Sequence, residues 1–269
     1  MRRPGTATSP RQFAERTARR AGFTLVELLV AGGVIVALLA VLLPTIGAAM
    51  ERARAFRCQT SLRSVAFDFA VFANEELHGD RGDDRLRYGR TRFSLETFVE
   101  SQYGVDEFWA FGDTDTHERP DETGVDPMRC SEIAGPVTLR RDVPCREGAV
   151  GPTENLSFGF NMRLLRVEYL DPRGRPRSKE VQLTSSVLAQ GRTPLLWDID
   201  GRAAASKDAQ GLFSAPALDS PGVYAGDQHW FPGLRHGGRL NVAFIDGSVS
   251  ASSRPLDESG WAWGWQPEP

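Results

Sequence analysis

A nearly uncharged apolar stretch from Phe23 to Leu43 limits what this 269-residue chain can become. Glu27 is the only charged residue in that stretch, whose length is close to the ~20 residues that an α-helix needs to cross a bilayer. A carboxylate inside such a helix costs on the order of 2.5–3.5 kcal/mol on insertion scales, so it indicates a function. The sequence therefore predicts a membrane-inserted helix whose single charge needs a positive partner.

The charge distribution agrees with one orientation of that helix. Residues 1–22 hold six arginines against Glu15, a charge of +5, which is typical of a segment that stays on the cytoplasmic side. Without those residues the formal net charge changes from −3 to −8. The remaining chain is acidic, which argues against general nucleic-acid binding.

The start of the apolar stretch also carries a recognisable motif. The residues Arg19-Arg20-Ala21-Gly22-Phe23-Thr24-Leu25-Val26-Glu27 resemble the class III signal of type IV pilins and of type II secretion pseudopilins. The resemblance implies that a prepilin peptidase cuts after Gly22 and methylates the new N-terminus at Phe23. It also implies that Glu27 pairs with the N-terminal amine of a neighbouring subunit during filament assembly. Pro44 stands where many pilin helices are kinked by a proline.

Three other interpretations of this segment compete with the pilin-type signal. A secretory signal has an apolar core of about 7–15 residues before a small-residue cleavage site, which Gly47-Ala48-Ala49 imitates. Arg19-Arg20 imitates a twin-arginine export signal, and a plain membrane anchor needs no Glu27. The apolar run is too long for a secretory core and the small-residue site lies too far downstream, so the pilin-type signal is preferred.

The helical pattern continues beyond Pro44. Apolar residues recur at steps of 4, 3, 4 and 3, which predicts an amphipathic helix; they are Cys58, Leu62, Val65, Phe69 and Phe72. The acidic residues before Gly79 mark its predicted end. The predicted organisation is a leader over residues 1–22, a transmembrane or filament-core helix over 23–43, an amphipathic continuation over 44–78 and a periplasmic globular head over 79–269.

The head has mainly strand-like patterns. The predicted strands are Leu156–Phe160, Leu164–Leu170, Glu180–Leu183, Pro194–Asp198 and Leu240–Ile245. A turn is expected at 171–174, a short helix capped by Ser94 within 93–103, and an acidic loop over 112–127. The predicted fold class is α+β, with a long hydrophobic-then-amphipathic N-terminal helix packed on a C-terminal antiparallel β-sheet.

A second motif lies near the C-terminus. His236, nine residues and then Asp246-Gly247 are similar to the H-X9-DG motif of the processing-associated tail in planctomycete-type pseudopilin-like proteins. The residues themselves predict a hairpin over 236–247, with Leu240–Ile245 as a strand, Asp246-Gly247 as its turn and Ser248–Ala251 as the return strand. We expect His236 to be a structural hydrogen-bonding residue rather than a metal ligand or a catalyst.

The cysteines and acidic residues leave several options open. Of three cysteines, Cys130 and Cys145 form the preferred disulfide in an oxidising periplasm, and Cys58 with Cys130 is the competing pair. Asp113 and Asp115 are candidate Ca²⁺ ligands, although a solvated acidic loop is the preferred interpretation. No cofactor is expected, and the cysteines and histidines have no zinc-site spacing along the sequence.

Together these features predict a non-enzymatic pseudopilin, a structural subunit of a periplasmic type II secretion filament. The expected partners are the prepilin peptidase, other pilin-like subunits of the same filament, the secretion assembly platform and the bacterial inner membrane. The chain would cross that membrane once, with its N-terminus cytoplasmic and its head periplasmic. Two alternatives are a surface-binding pilin for adhesion or DNA uptake, and a membrane-tethered enzyme using His236 and Asp246.

Overall fold

The computed structural model describes residues 24–74, 94–103, 116–118, 130, 132–133, 138–140, 156–207, 209, 211–218 and 224–267. The chain divides into two units, Met1–Ala48 and Ala49–Pro269, and the second is called the head below. The fold class is α+β, as the sequence predicts.

Helix α1 runs from Leu25 to Phe72 and contributes residues to both units. Every side chain from Leu25 to Met50 is exposed, and the most apolar window of the helix has a mean hydropathy of 2.7 with none of it buried. This helix is long and apolar enough to span a membrane. It continues through Pro44, so the proline does not end it, and the bend expected at that residue stays a prediction.

Within the head, α1 presents the apolar stripe that the spacing predicts. All five stripe residues are buried, together with Ala66. The helix ends at Phe72 rather than near His78, because Ala73 already lies in a turn and Asn74 has left the helix. Asparagine favours helix ends, since its side chain competes for backbone hydrogen bonds. Residues 75–93 lie outside the described part of the chain.

The main sheet of the described residues has five strands in the order β7-β3-β6-β8-β9. Their bounds are Phe158–Asn161 (β3), Pro194–Asp198 (β6), Phe213–Ser214 (β7), Leu240–Phe244 (β8) and Val249–Ser252 (β9). Four of them pair antiparallel, but β7 lies parallel to β3. The sheet is therefore mixed, and the expectation of a wholly antiparallel sheet is wrong at this edge.

A separate hairpin joins β4, Arg166–Leu170, to β5, Pro176–Glu180. The turn predicted at 171–174 is confirmed: Asp171 Oδ1 accepts from the backbone N–H groups of Arg173 and Arg175, both at 2.9 Å, and Gly174 has φ +71°. The strand predicted at Glu180–Leu183 is wrong, because β5 shares only Glu180 with it. The position of β5 is set by its pairing with β4 across the hairpin turn.

Short elements complete the described head. Thr116–Glu118 (β1) pairs antiparallel with Thr138–Arg140 (β2), so the segment 112–127 is not wholly a loop; Asp113 and Asp115 lie outside the described residues. The short helix predicted before residue 103 is α2, Leu95–Tyr103. Its cap is confirmed, since Ser94 Oγ accepts from the N–H of Thr97 at 3.2 Å. Helices α3, Ser185–Leu188, and α4, Gly201–Ser206, follow.

Both faces of the three central strands are buried. Residues of β6 and β8 divide between two hydrophobic clusters: Leu196 and Ala243 pack with the α1 stripe, whereas Trp197 packs on the other face with Trp263. The rings of Trp197 and Trp263 meet edge to face at 4.8 Å, and Trp263 is only 3% exposed. The tryptophan-rich C-terminal segment of the head therefore packs against the main sheet.

Candidate functional sites

The start of α1 is closed by two side chains that bond to each other. Glu27 Oε2 accepts from the backbone N–H of Thr24 at 2.8 Å and from its hydroxyl at 2.9 Å. In return, Thr24 Oγ1 accepts from the N–H of Glu27 at 3.2 Å. This reciprocal pair is a capping box. The spacing Thr-x-x-Glu was readable in the sequence, and it gives Glu27 a role within its own chain that sequence reasoning missed.

The capping box does not exclude the predicted pairing with a neighbour. Both of its bonds to the Glu27 carboxylate go to Oε2, so Oε1 can accept from an amine without breaking the cap. The predicted cleavage and methylation residues, Gly22 and Phe23, lie outside the described part of the chain.

The predicted hairpin at the end of the H-X9-DG motif is confirmed. Gly247 has φ +78°, and its N–H donates to the Phe244 carbonyl at 2.9 Å. Asp246 Oδ1 accepts from the backbone N–H of Ser248 at 2.9 Å and from its hydroxyl at 2.5 Å. These are the bonds of a turn. His236 precedes β8 and Asp246 follows it, so a five-residue strand of about 3.3 Å per residue separates them.

His236 instead joins a buried cluster in the head. The side-chain ligand atoms of Cys58, Cys130, Asp198 and His236 all lie within 4.8 Å of one another. Cys58 belongs to α1, Asp198 is the last residue of β6, and His236 lies in the short helical turn Arg235–Gly238 that comes before β8. The packing of α1 on the sheet therefore brings together four residues that are far apart in the sequence.

The four side chains contact one another directly. Cys58 Sγ donates to Asp198 Oδ1 at 3.2 Å, and Cys130 Sγ lies 3.3 Å from His236 Nε2. His236 Nδ1 lies 3.0 Å from Glu132 Oε1, at ion-pair distance but without hydrogen-bond alignment. Cys58, Cys130 and Asp198 are at most 1% exposed, and the His236 side chain is 2% exposed. The cluster is closed to solvent.

The Asp198 carboxylate is surrounded by donors. Its Oδ2 accepts from the Asn241 backbone N–H at 3.1 Å and from the Asn241 amide at 2.9 Å. Its Oδ1 faces a guanidinium nitrogen of Arg235 at 3.3 Å. Burial raises the pKa of Asp198, and the Arg235 charge lowers it. Because every partner donates, we take the carboxylate as ionised.

The two thiols differ in their acidity. The neighbouring sulfur of Cys130, burial and the Asp198 charge together raise the pKa of Cys58. The neighbouring Cys58 thiol and the contact with His236 lower the pKa of Cys130, against its burial. Burial alone would lower the pKa of His236, but the hydrogen bond to Cys130 and the nearby negative charges raise it. Of the two thiols, Cys130 is therefore the more acidic.

The backbone at His236 is held in an unusual conformation. Its φ and ψ are +57° and +54°, and Gly237 follows with φ +75°. A left-handed conformation costs a residue with a side chain about 1–2 kcal/mol, and such strain collects at functional sites. In this conformation the imidazole lies in the cluster beside Cys130.

The cluster bears on two sequence predictions. The first is the pair of candidate disulfides. Cys58 and Cys130 lie close together but are both free thiols, so the competing disulfide is not formed here. Cys145, the other predicted partner of Cys130, lies outside the described residues. The second prediction is the membrane-tethered enzyme. The side chains of Cys130, His236 and Glu132 contact one another in the arrangement of a nucleophile, a base and an orienting carboxylate. Cys130 is 0% exposed, however, so its sulfur is not accessible to a substrate in this conformation.

Comparison of the chain with family models, with curated proteins and with solved structures finds no match.

Proposed function

We propose that this protein is a pseudopilin, a non-enzymatic, membrane-inserted subunit of a periplasmic type II secretion filament that is cleaved and N-methylated by prepilin peptidase. The observation that carries the proposal is the exposed apolar first half of α1, with Glu27 as its single charge.

That apolar surface has to be shielded from water by lipid or by other protein. Its side chains include Leu25 at 81% exposure, Val36 at 67% and Leu43 at 67%. Contiguous exposed apolar surface of this extent marks a membrane or protein interaction site. The helix of a pilin-like subunit is first surrounded by lipid, and during assembly it leaves the membrane and packs among the helices of other copies. Head-to-tail packing of this kind is open-ended and gives a filament.

Glu27 supports filament packing over simple anchoring. A carboxylate in hydrocarbon or among packed helices requires a positive partner. Cleavage after Gly22 would create a positively charged amine at Phe23, close in sequence to Glu27, on every subunit. Glu27 of one copy would then neutralise the Phe23 amine of the next, in addition to closing its own helix at Thr24.

The head supports a structural role. The three central strands of its sheet are buried on both faces. Fully exposed tryptophans would have favoured a surface-binding pilin, but Trp263 is buried and Trp261 and Trp265 are half-buried. We therefore place secretion-filament assembly ahead of adhesion or DNA uptake.

Filament incorporation tests the proposal. In bacteria that express the protein with its secretion system, we expect the head in the sheared-filament fraction when prepilin peptidase is present, and only in the membrane fraction when the peptidase is deleted. A membrane-anchored protein that never enters filaments would give the second pattern in both strains, which would contradict the proposal.

A further inference from the structure

We propose that Cys58, Cys130, Asp198 and His236 bind one zinc ion in a closed structural site within the head. Zinc takes thiolate sulfur at about 2.3 Å and imidazole nitrogen or carboxylate oxygen at about 2.0–2.2 Å, in a tetrahedron. Ligand atoms of such a tetrahedron lie roughly 3.5–4 Å apart. The four ligand atoms here all lie within 4.8 Å of one another, so small side-chain shifts close them around an ion.

The ligand chemistry selects the metal. Two sulfurs, one imidazole nitrogen and one carboxylate oxygen suit zinc, whereas Ca²⁺ and Mg²⁺ prefer oxygen ligands in larger number. The cluster is closed to solvent, and four protein ligands leave no open position for a substrate. These are the properties of a structural site and not of a catalytic one.

The surrounding residues hold the ligands as an outer shell does in zinc proteins. Such shells place a carboxylate or carbonyl on the second nitrogen of a ligating histidine and bond the ligating carboxylate. Here Glu132 Oε1 lies 3.0 Å from His236 Nδ1, which leaves Nε2 facing the thiols. Asn241 occupies Asp198 Oδ2 through two bonds, which leaves Oδ1 facing Cys58 and the Arg235 guanidinium.

The charges of the ligands favour a dication. Two thiolates and the Asp198 carboxylate carry three negative charges, the Glu132 carboxylate lies beside His236, and the Arg235 guanidinium at Asp198 supplies one positive charge. Binding of the ion displaces to solvent the protons that the thiols and the coordinating imidazole nitrogen carry, and no oxidation is involved. Without the ion, the protein buries a carboxylate and two thiols side by side, an arrangement of ionisable groups that desolvation penalises.

The site joins separate parts of the head. Cys58 lies on α1, Asp198 on β6, His236 before β8, and Cys130 in the chain between β1 and β2. An ion held by all four would fix α1 to the sheet.

Metal titration of the full-length protein in detergent tests this proposal. The protein is purified under reducing conditions, stripped with a chelator and titrated with Co²⁺ as a spectroscopic probe, then with Zn²⁺. We expect about one equivalent to bind, with a thiolate-to-cobalt charge-transfer band and the strong visible bands of tetrahedral cobalt, both lost when zinc displaces it.

Matched variants locate the ligands. Cys130→Ser and His236→Ala are expected to lose the charge-transfer band, whereas Cys145→Ser and His229→Ala keep it. Glu132→Gln, which changes only the partner of His236, is expected to weaken the affinity about 10–100-fold.

Two results would overturn the proposal. One is folded, reduced wild-type protein that binds Co²⁺ without a charge-transfer band. The other is a Cys58–Cys130 cross-link in a non-reducing peptide map of protein from native membranes. Because both are measured on wild-type protein, the decision stands even if a ligand variant fails to fold.

Discussion

Glu27→Gln is expected to exclude the protein from filaments while leaving it inserted in the membrane. Glutamine still serves at the third position of a capping box, so the bond to Thr24 and the helix start survive. What the substitution removes is the charge that neutralises the Phe23 amine of a neighbour. Leaving one member of a buried ion pair without its partner costs about 3–5 kcal/mol, which corresponds to a loss of incorporation of about 100-fold or more.

Thr24→Ala is the matched control, because it removes the cap and keeps the charge. It is expected to weaken the helix start by about 1 kcal/mol and to leave filament incorporation close to that of the wild type. The measured quantity is the ratio of protein in the sheared-filament fraction to protein in the membrane. If Glu27→Gln assembled normally and Thr24→Ala did not, Glu27 would act as a capping residue alone.

Phe69→Ala is expected to destabilise the head by about 3–5 kcal/mol, as large-to-small substitutions of buried aromatics do. Phe69 is 0% exposed, and its ring meets that of Phe98 edge to face at 5.3 Å. Phe67→Ala makes the same change two positions earlier on α1, where the side chain is 65% exposed, and its expected effect lies within about 0.5 kcal/mol.

Urea unfolding of the full-length protein in detergent measures both variants. The head carries its own fluorescent reporters, since Trp197, Trp230 and Trp263 pack together in it. Equal destabilisation by the two substitutions would mean that the buried stripe of α1 is not part of the core of the head.

Short-range sequence patterns, such as helical spacing, apolar runs and turn dipeptides, predicted the helix stripe, a central strand and a hairpin correctly. The stripe from Cys58 to Phe72 follows from helical spacing, and Pro194–Asp198 was predicted with its observed bounds. The hairpin at Asp246-Gly247 was predicted because that dipeptide supplies a turn with a positive φ. The capping box at Thr24 and Glu27 was equally readable, but the pilin-type resemblance had already explained the glutamate.

Elements set by distant partners could not be predicted in this way. Strand β7 has two residues, Phe213–Ser214, too few for any period, and its parallel pairing is set by β3. Strand β5 contains Arg177 and Lys179, polar residues that pair with β4 only because of the hairpin register.

The buried cluster is the clearest example of tertiary assembly. Cys58 and Asp198 are 140 residues apart in the sequence, and Cys130 and His236 are 106 apart. Zinc motifs are recognised in sequences by close ligand pairs, and none of these four ligands has a near neighbour among the others. Only the packing of α1 on the sheet brings them together. The expectation that His236 is a structural hydrogen-bonding residue came from its place before the predicted hairpin, which gave no sign of Cys58, Cys130 or Asp198 nearby.

Intact-mass and N-terminal peptide analysis of the protein from native membranes tests the central claim most directly. The pseudopilin account predicts a chain that starts at Phe23 and carries one added methyl group. A chain that retains its leader, or one that starts near Met50, would contradict it, and the assembly role proposed for Glu27 would then have to be abandoned.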